Sequence, residues 1–311
     1  MQRTLTVTAA GILLALLTAA VSAHHNVEEM IRQFTELIET GGDDTPPEVY
    51  YRRATEYRVT RKFDKARADL EKAIELAPEF IAAHEDLGRL HQLHGDLPKA
   101  IASLDKAVAA ATTDREKAAS LAVRAEILAS AGKTEDALTD VENALETYKR
   151  GAVDWFLLRS DLQDQLDQKE ARLKGLKAGH ARTKSVVLYN AWVEALVETG
   201  DYETARPIIG ARVAAARLKS SWLIRRAKLH LATDEKDAAI KDLQQAITEL
   251  NQRLNPENPD ITLLIDRGIA HQLLEDRSAA KKDLAAAKKA GADRWATARL
   301  EKALGVELQS N

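Results

Sequence analysis

The feature that most constrains this chain is that it repeats itself. Phe63, Ala66, Leu70 and Ala73 are followed by Gly95, Leu97, Ala100, Leu104 and Ala107 in the same spacing. The frame returns at Gly132/Ala137/Val141/Ala144, Ala171/Gly175/Ala178, Gly200/Tyr202/Ala205/Ile209, Ala239/Leu243/Ala246 and Ala280/Leu284/Ala287. Counting back places unit starts at residues 47, 81, 118, 152, 186, 220 and 261, and four of the six spacings are 34 residues. The two longer spacings hold inserts at 115–117 and 254–260. A unit of this length cannot bury its apolar face alone, so consecutive units must stack and share a core.

The content of the frame says what the unit is. With 5% aromatic residues, 14 glycines and 7 prolines in 311 residues, the chain has the small side chains and few breakers of close-packed helices. Ala66, Ala100, Ala137, Ala171, Ala205, Ala239 and Ala280 share one position, where two helices are expected to cross too closely for a larger side chain. Gly95, Gly132 and Gly200 stand where a left-handed residue would end the first helix of a pair. Arg61, Leu166, Asp234 and Glu275 take that place in the other units and make those turns less regular.

A second regularity supports a helical hairpin. The seventh residue of the unit is Arg53, Arg124, Arg226 and Arg267 in units one, three, six and seven, and the twenty-third is then Asp69, Asp140, Asp242 and Asp283. The other units carry Leu87/Ser103, Leu158/Lys174 and Trp192/Ile208, so arginine occurs only with aspartate. In a hairpin turning near its fifteenth residue the two positions are level. Four partly buried, two-toothed ion pairs are expected, fixing register more than adding stability.

The ends differ. Residues 1–23 read as a secretory signal: Arg3, an apolar run from Leu5 to Ala20, then the small-x-small pattern Val21-Ser22-Ala23. An uncleaved anchor is the alternative, although the run is shorter than the roughly 20 apolar residues that span a bilayer comfortably. Cleavage leaves 288 residues with 44 basic and 48 acidic side chains, a balance that gives no attraction to nucleic acid or anionic lipid. Segment 24–46 holds an amphipathic helix over 26–39 (Val27, Met30, Ile31, Phe34, Leu37, Ile38) and a Gly/Asp/Pro linker, capping an array at 47–294. Segment 295–311 closes the other end, with Trp295, Leu300 and Leu304 on the covering helix. The breaker-rich 255–259 is a candidate joint.

Catalytic and metal motifs dissolve into the repeat. Gly132-Lys133-Thr134 lacks the first glycine of a phosphate loop, since Ile127 stands there. His84-Glu85 meets Gly88 where a zinc helix needs a second histidine, and His84 and His91 are about 10 Å apart along a helix. His91, His230 and His271 occupy one packing slot. Asp161, Asp164 and Asp167 lack the glycine of a calcium loop. With no cysteine there is no thiol nucleophile. No catalytic residue, cofactor or metal site is expected; a copper site at a processed His24-His25 terminus is a minor alternative.

His84-x-x-Leu87-Gly88-x-x-His91 leading to Gly95 and Ala100, with Pro78 after the preceding unit, resembles the tetratricopeptide repeat. The resemblance implies an all-α, right-handed superhelical solenoid of about seven hairpins, whose groove is lined by the first helix of each pair. Carried over position by position, the lining is Tyr51, Glu85, Arg89, Phe156, Asn190, Glu194, Ile224, Lys228 and Ile265. The family's lysine and asparagine clamp for acidic peptide tails is not matched at Tyr51/Thr55, Glu85/Arg89 or Ala122/Glu126. The implied function is a periplasmic or secreted scaffold binding a protein or peptide, with neither nucleic acid nor membrane insertion after signal cleavage; the alternative is a structural subunit of an envelope assembly using edge or convex surfaces.

Overall fold

The computed structural model describes residues 26–305, the side chains of Arg294 and Trp295 excepted. All regular structure among them is helical. The chain divides into two compact units, Met1–Gln168 and Lys169–Asn311. The signal segment and His24-His25 lie outside the described residues.

The first unit opens with α1 (26–41) and a 3-10 turn at Gly42–Asp44, longer than the expected helix over 26–39. Then follow α2 (Pro47–Val59), α3 (Phe63–Leu76), α4 (Ile81–Leu93), α5 (Leu97–Ala110), α6 (Asp114–Ser130), α7 (Thr134–Thr147) and α8 (Val153–Gln165). The pairs α2/α3, α4/α5 and α6/α7 are antiparallel hairpins, each stacked on the next. The insert at 115–117 is absorbed as an extra first turn of α6. Thr113 Oγ1 accepts from the Glu116 amide at 3.2 Å while Glu116 accepts from the Thr113 amide, a reciprocal cap that pulls the start forward.

The second unit runs α9 (Lys169–Thr183), α10 (Val186–Glu198), α11 (Tyr202–Ala215), α12 (Ser220–Ala232), α13 (Lys236–Arg253), α14 (Ile261–Leu273), α15 (Arg277–Lys289) and α16 (Arg294–Leu304). The hairpins α12/α13 and α14/α15 stack in sequence, and α16 closes the end against α14 and α15. Leu300 and Leu304 are buried there. Gly268 makes room for the cap, since a side chain at that position would collide with Leu300. No described helix is long and apolar enough to cross a membrane.

Six of the seven frame alanines are fully buried: Ala66, Ala100, Ala137, Ala205, Ala239 and Ala280. The seventh, Ala171, is exposed. The cause is a slip of one residue. Tyr148–Ala152 forms a five-residue connection, α8 begins at Val153 rather than 152, and the positions of Leu70 and Ala73 pass to the buried Leu176 and Gly179. The turns agree. Left-handed residues end the first helices at Arg61, Gly95, Gly132, Gly200, Asp234 and Glu275, all in frame, but in the fourth unit the residue is Asp167, one past the expected Leu166. The hairpin turn is thus kept without glycine, at a cost of about 1 kcal/mol for each side chain held in that conformation.

Candidate functional site

Two sets of polar side chains organise the molecule, one inside the hairpins and one on the first-helix faces. Within the hairpins, Arg53 donates from Nε and Nη2 to Asp69 at 2.7 and 2.7 Å. Arg124 does the same to Asp140 at 2.6 and 2.7 Å, and Arg226 to Asp242 at 2.6 and 2.6 Å. Arg267 reaches Asp283 at 3.0 and 2.5 Å. The carboxylate hydrogen bonds raise Arg53, Arg124 and Arg226 above the ordinary arginine value.

The spacing did not reveal a third tooth. Arg53 Nη1 also donates to Thr35 Oγ1 on α1 at 3.1 Å, Arg124 Nη1 to Asp105 on α5, and Arg267 Nη1 to Asn251 Oδ1 on α13 at 2.7 Å. Each of these arginines joins its own hairpin to the helix before it. Arg226 lacks this contact. Asn251 stands sixteen residues before Arg267, whereas Gly210 stands sixteen before Arg226 and offers no side chain.

Of the nine first-helix candidates, Phe156, Ile224 and Ile265 are buried and present nothing to a partner. The one-residue slip moves Phe156 to the fourth position of its unit, a core position. Ile224 and Ile265 keep the fifth position but pack into the core of the second unit. The other six are on accessible faces, in two groups.

In the first unit the centre is Asp86 on α4. Arg58 of α2 pairs with it, Arg89 reaches it at 3.2 Å, and its charge acts on the Tyr51 phenol of α2. Burial, then Asp86, pushes the Tyr51 phenol up from its usual range. Its ring lies 4.9 Å from that of Phe80. Glu85, one residue before Asp86, accepts from Ser120 Oγ of α6 at 2.7 Å.

In the second unit, Lys228 of α12 donates directly to Glu194 of α10. Arg225 Nη2 and Arg299 Nη2 approach the other Glu194 oxygen to 4.0 and 3.9 Å, and Arg299 Nη1 stands 3.9 Å from Asp266 Oδ1 of α14. Burial alone would raise Glu194, but Lys228, Arg299 and Arg225 together hold it down to about 2. Asn190 Oδ1, on the same helix, is buried without a donor. Asp86, Arg225 and Asp266 were not among the expected lining. All three are the sixth residue of their units, so a charge recurring there was the available signal.

Among the described residues, no group of His, Asp and Glu could hold a metal ion. The arrangement assembles charge and hydrogen-bonding groups along first helices.

Hairpins stacked on a shared alanine seam, closed by a cap helix and turning through a left-handed residue, define a helical-repeat protein. The tetratricopeptide repeat family model matches residues 51–116 and 190–259, and over these segments the chain is built of tetratricopeptide repeats. A tetratricopeptide repeat protein from Parabacteroides merdae shares 19% identity over 88% of this chain and 99% of its own, with a TM-score of 0.53. The PilF structure from Pseudomonas aeruginosa shares 17% identity over 64% of this chain and 89% of its own, with a TM-score of 0.48. No curated protein matches the sequence.

Proposed function

We propose that the chain is an exported, non-enzymatic scaffold that holds a protein or peptide partner against the first-helix faces of its repeats. The repeat fold supports a role in protein interaction, and the face is the finer part of the reading. One observation carries it: outside the hairpin ion pairs, charged and hydroxyl side chains converge on one face in each unit, from α2, α4 and α6 in the first and from α10, α12, α14 and the cap helix α16 in the second. Mixed charge beside apolar and aromatic groups suits an extended peptide or a helix. Export rests on the apolar run of Leu5–Ala20 and the Val21-Ser22-Ala23 pattern.

Crosslinking in the native cells, followed by mass spectrometry, tests both parts. Partner peptides joined to α2, α4, α10 and α12, on a protein recovered without residues 1–23 from the exported fraction, are the expected result. Links confined to the second helices of the hairpins or to α1 would refute the assignment of the face. A cytosolic protein that keeps its first residues would refute export.

A further inference from the structure

We propose that the first-helix face of the second unit receives a basic side chain of a protein partner, and that Arg299 of α16 occupies that place in the free protein. The inference rests on the partner-binding reading above and names the chemistry of the partner.

The geometry starts from the reach of Arg299. First helices about 9 Å apart would put α10 and α16 roughly 27 Å apart on a flat layer, far beyond what one arginine and one glutamate can span. Yet Arg299 Nη2 lies 3.9 Å from Glu194 Oε2. The first helices of this unit therefore curve strongly inward, and Arg299 projects across the hollow.

Its hold there is loose. Both of its ion contacts are 3.9 Å, beyond hydrogen-bond reach, and it makes no hydrogen bond among the described residues. Its side chain is 52% exposed. The other two cations are committed. Lys228 donates directly to Glu194, while Arg225 Nη1 donates to the Ser221 carbonyl at 3.0 Å and its guanidinium lies 5.2 Å from the centre of the Trp222 ring. Arg253, farther off, is engaged with Glu249 at 3.4 Å. Arg299 is the exchangeable member.

The acceptors it leaves unmet define what replaces it. Asp266 is mostly buried, has no hydrogen bond among the described residues, and has Arg299 as its one ion partner there. Desolvation pushes its carboxyl upward. Asn190 Oδ1 is a second buried acceptor without a donor. An unmet carboxylate facing the hollow, with the Asn190 acceptor one turn before Glu194 on α10, calls for a donor-rich cation, and a guanidinium brings five N–H groups in a fixed fork.

Charge decides against the opposite occupant. Three cations face two carboxylates here, and Arg225 Nε is a buried donor without an acceptor, which would draw an acid. That acid would sit beside both Glu194 and Asp266, where like charges out of water repel strongly. Exchange of Arg299 for a partner's cation leaves the total charge unchanged.

The probes are three fluorescein-labelled dodecapeptides sharing one Leu/Ser frame and carrying paired arginine, glutamate or glutamine. Their binding to the purified full chain is followed by anisotropy. The arginine peptide is expected to bind most tightly. Arg299→Ala removes the internal competitor and tightens it roughly three- to sixfold, the weight of a half-exposed ion pair, whereas Arg299→Lys leaves affinity near that of the parent. Asp266→Asn weakens the arginine peptide about tenfold or more, as loss of a desolvated charge partner does, with no change for the glutamine peptide. Preference for the glutamate or glutamine peptide, or indifference to Arg299→Ala in a protein of unchanged circular dichroism, overturns the inference and leaves the binding face standing. Failure of all three peptides on parent and variants overturns both.

Discussion

The ion pair between Arg124 and Asp140 allows a sharp test of what these pairs contribute. Its carboxylate is 7% exposed and its guanidinium 22%, so the two single deletions are unequal. Arg124→Met strands a desolvated carboxylate, which costs about 3 kcal/mol. Asp140→Leu leaves a guanidinium that still reaches Asp105 and partial solvent, so the loss is about 1–2 kcal/mol. In the double variant no buried charge remains unpaired, and an apolar pair of similar volume is expected within about 1 kcal/mol of the parent. The coupling between the two positions is then about 4–5 kcal/mol. Urea unfolding followed by far-ultraviolet circular dichroism, with the transitions of the two units fitted separately, supplies the free energies. A double variant as unstable as the sum of the singles would refute the reasoning, because the pair would then be a net source of stability rather than a device of register.

Three other expectations are independent of that cycle. Gly88→Ala would place a Cβ 3.0 Å from Leu104 Cγ and 3.2 Å from the Ala100 carbonyl, and the first unit is expected to lose about 1–3 kcal/mol in the same unfolding assay. Glu275→Gly relieves a φ of 64° at the turn of the last hairpin, with an expected gain of about 0.5 kcal/mol measured as a raised urea midpoint at unchanged slope. Glu194, held at about 2, contributes stability that is present above the ordinary carboxylate value and drains away as pH falls toward 2. Glu194→Gln should therefore lower the melting temperature of the second unit at neutral pH, by an amount that shrinks below about pH 4.5 and vanishes near pH 2.

Most of the hairpin frame could be read from residue identity at fixed spacing, because close helix crossings admit alanine and little else. Arg53 with Asp69 and its three counterparts could be read for the same reason, since level positions in a hairpin must match in charge. The fourth unit escaped because Ala171 imitates the frame. Only the longer connection at Tyr148–Ala152, a property of backbone path, moves the true positions to Leu176 and Gly179. That slip also moved Phe156 from the surface to the core. With α8 starting at Val153, Arg159 takes the seventh position and Gly175 the twenty-third, so the pairing of arginine only with aspartate does not extend to this unit. Burial of Ile224 and Ile265, and the approach of Arg299 to Glu194, depend on the inward curvature of the first helices. Curvature is a sum of small rotations between neighbours, and no single residue announces it.

The bare position at Gly210 has a mechanical consequence. Three of the four arginines are rivets that pin a hairpin to the helix before it, and the fourth, Arg226, has no plate to fasten to. A substituent at Gly210 would meet open space, so this seam is fastened away from its middle, where Arg206 of α11 reaches Glu235 at 2.7 Å and Arg212 lies 5.8 Å from the centre of the Trp222 ring. Pulled from its ends, the second unit should part first along the seam between α11 and α12. That seam then sets how far the hollow facing Arg299 can widen before the repeats themselves come undone.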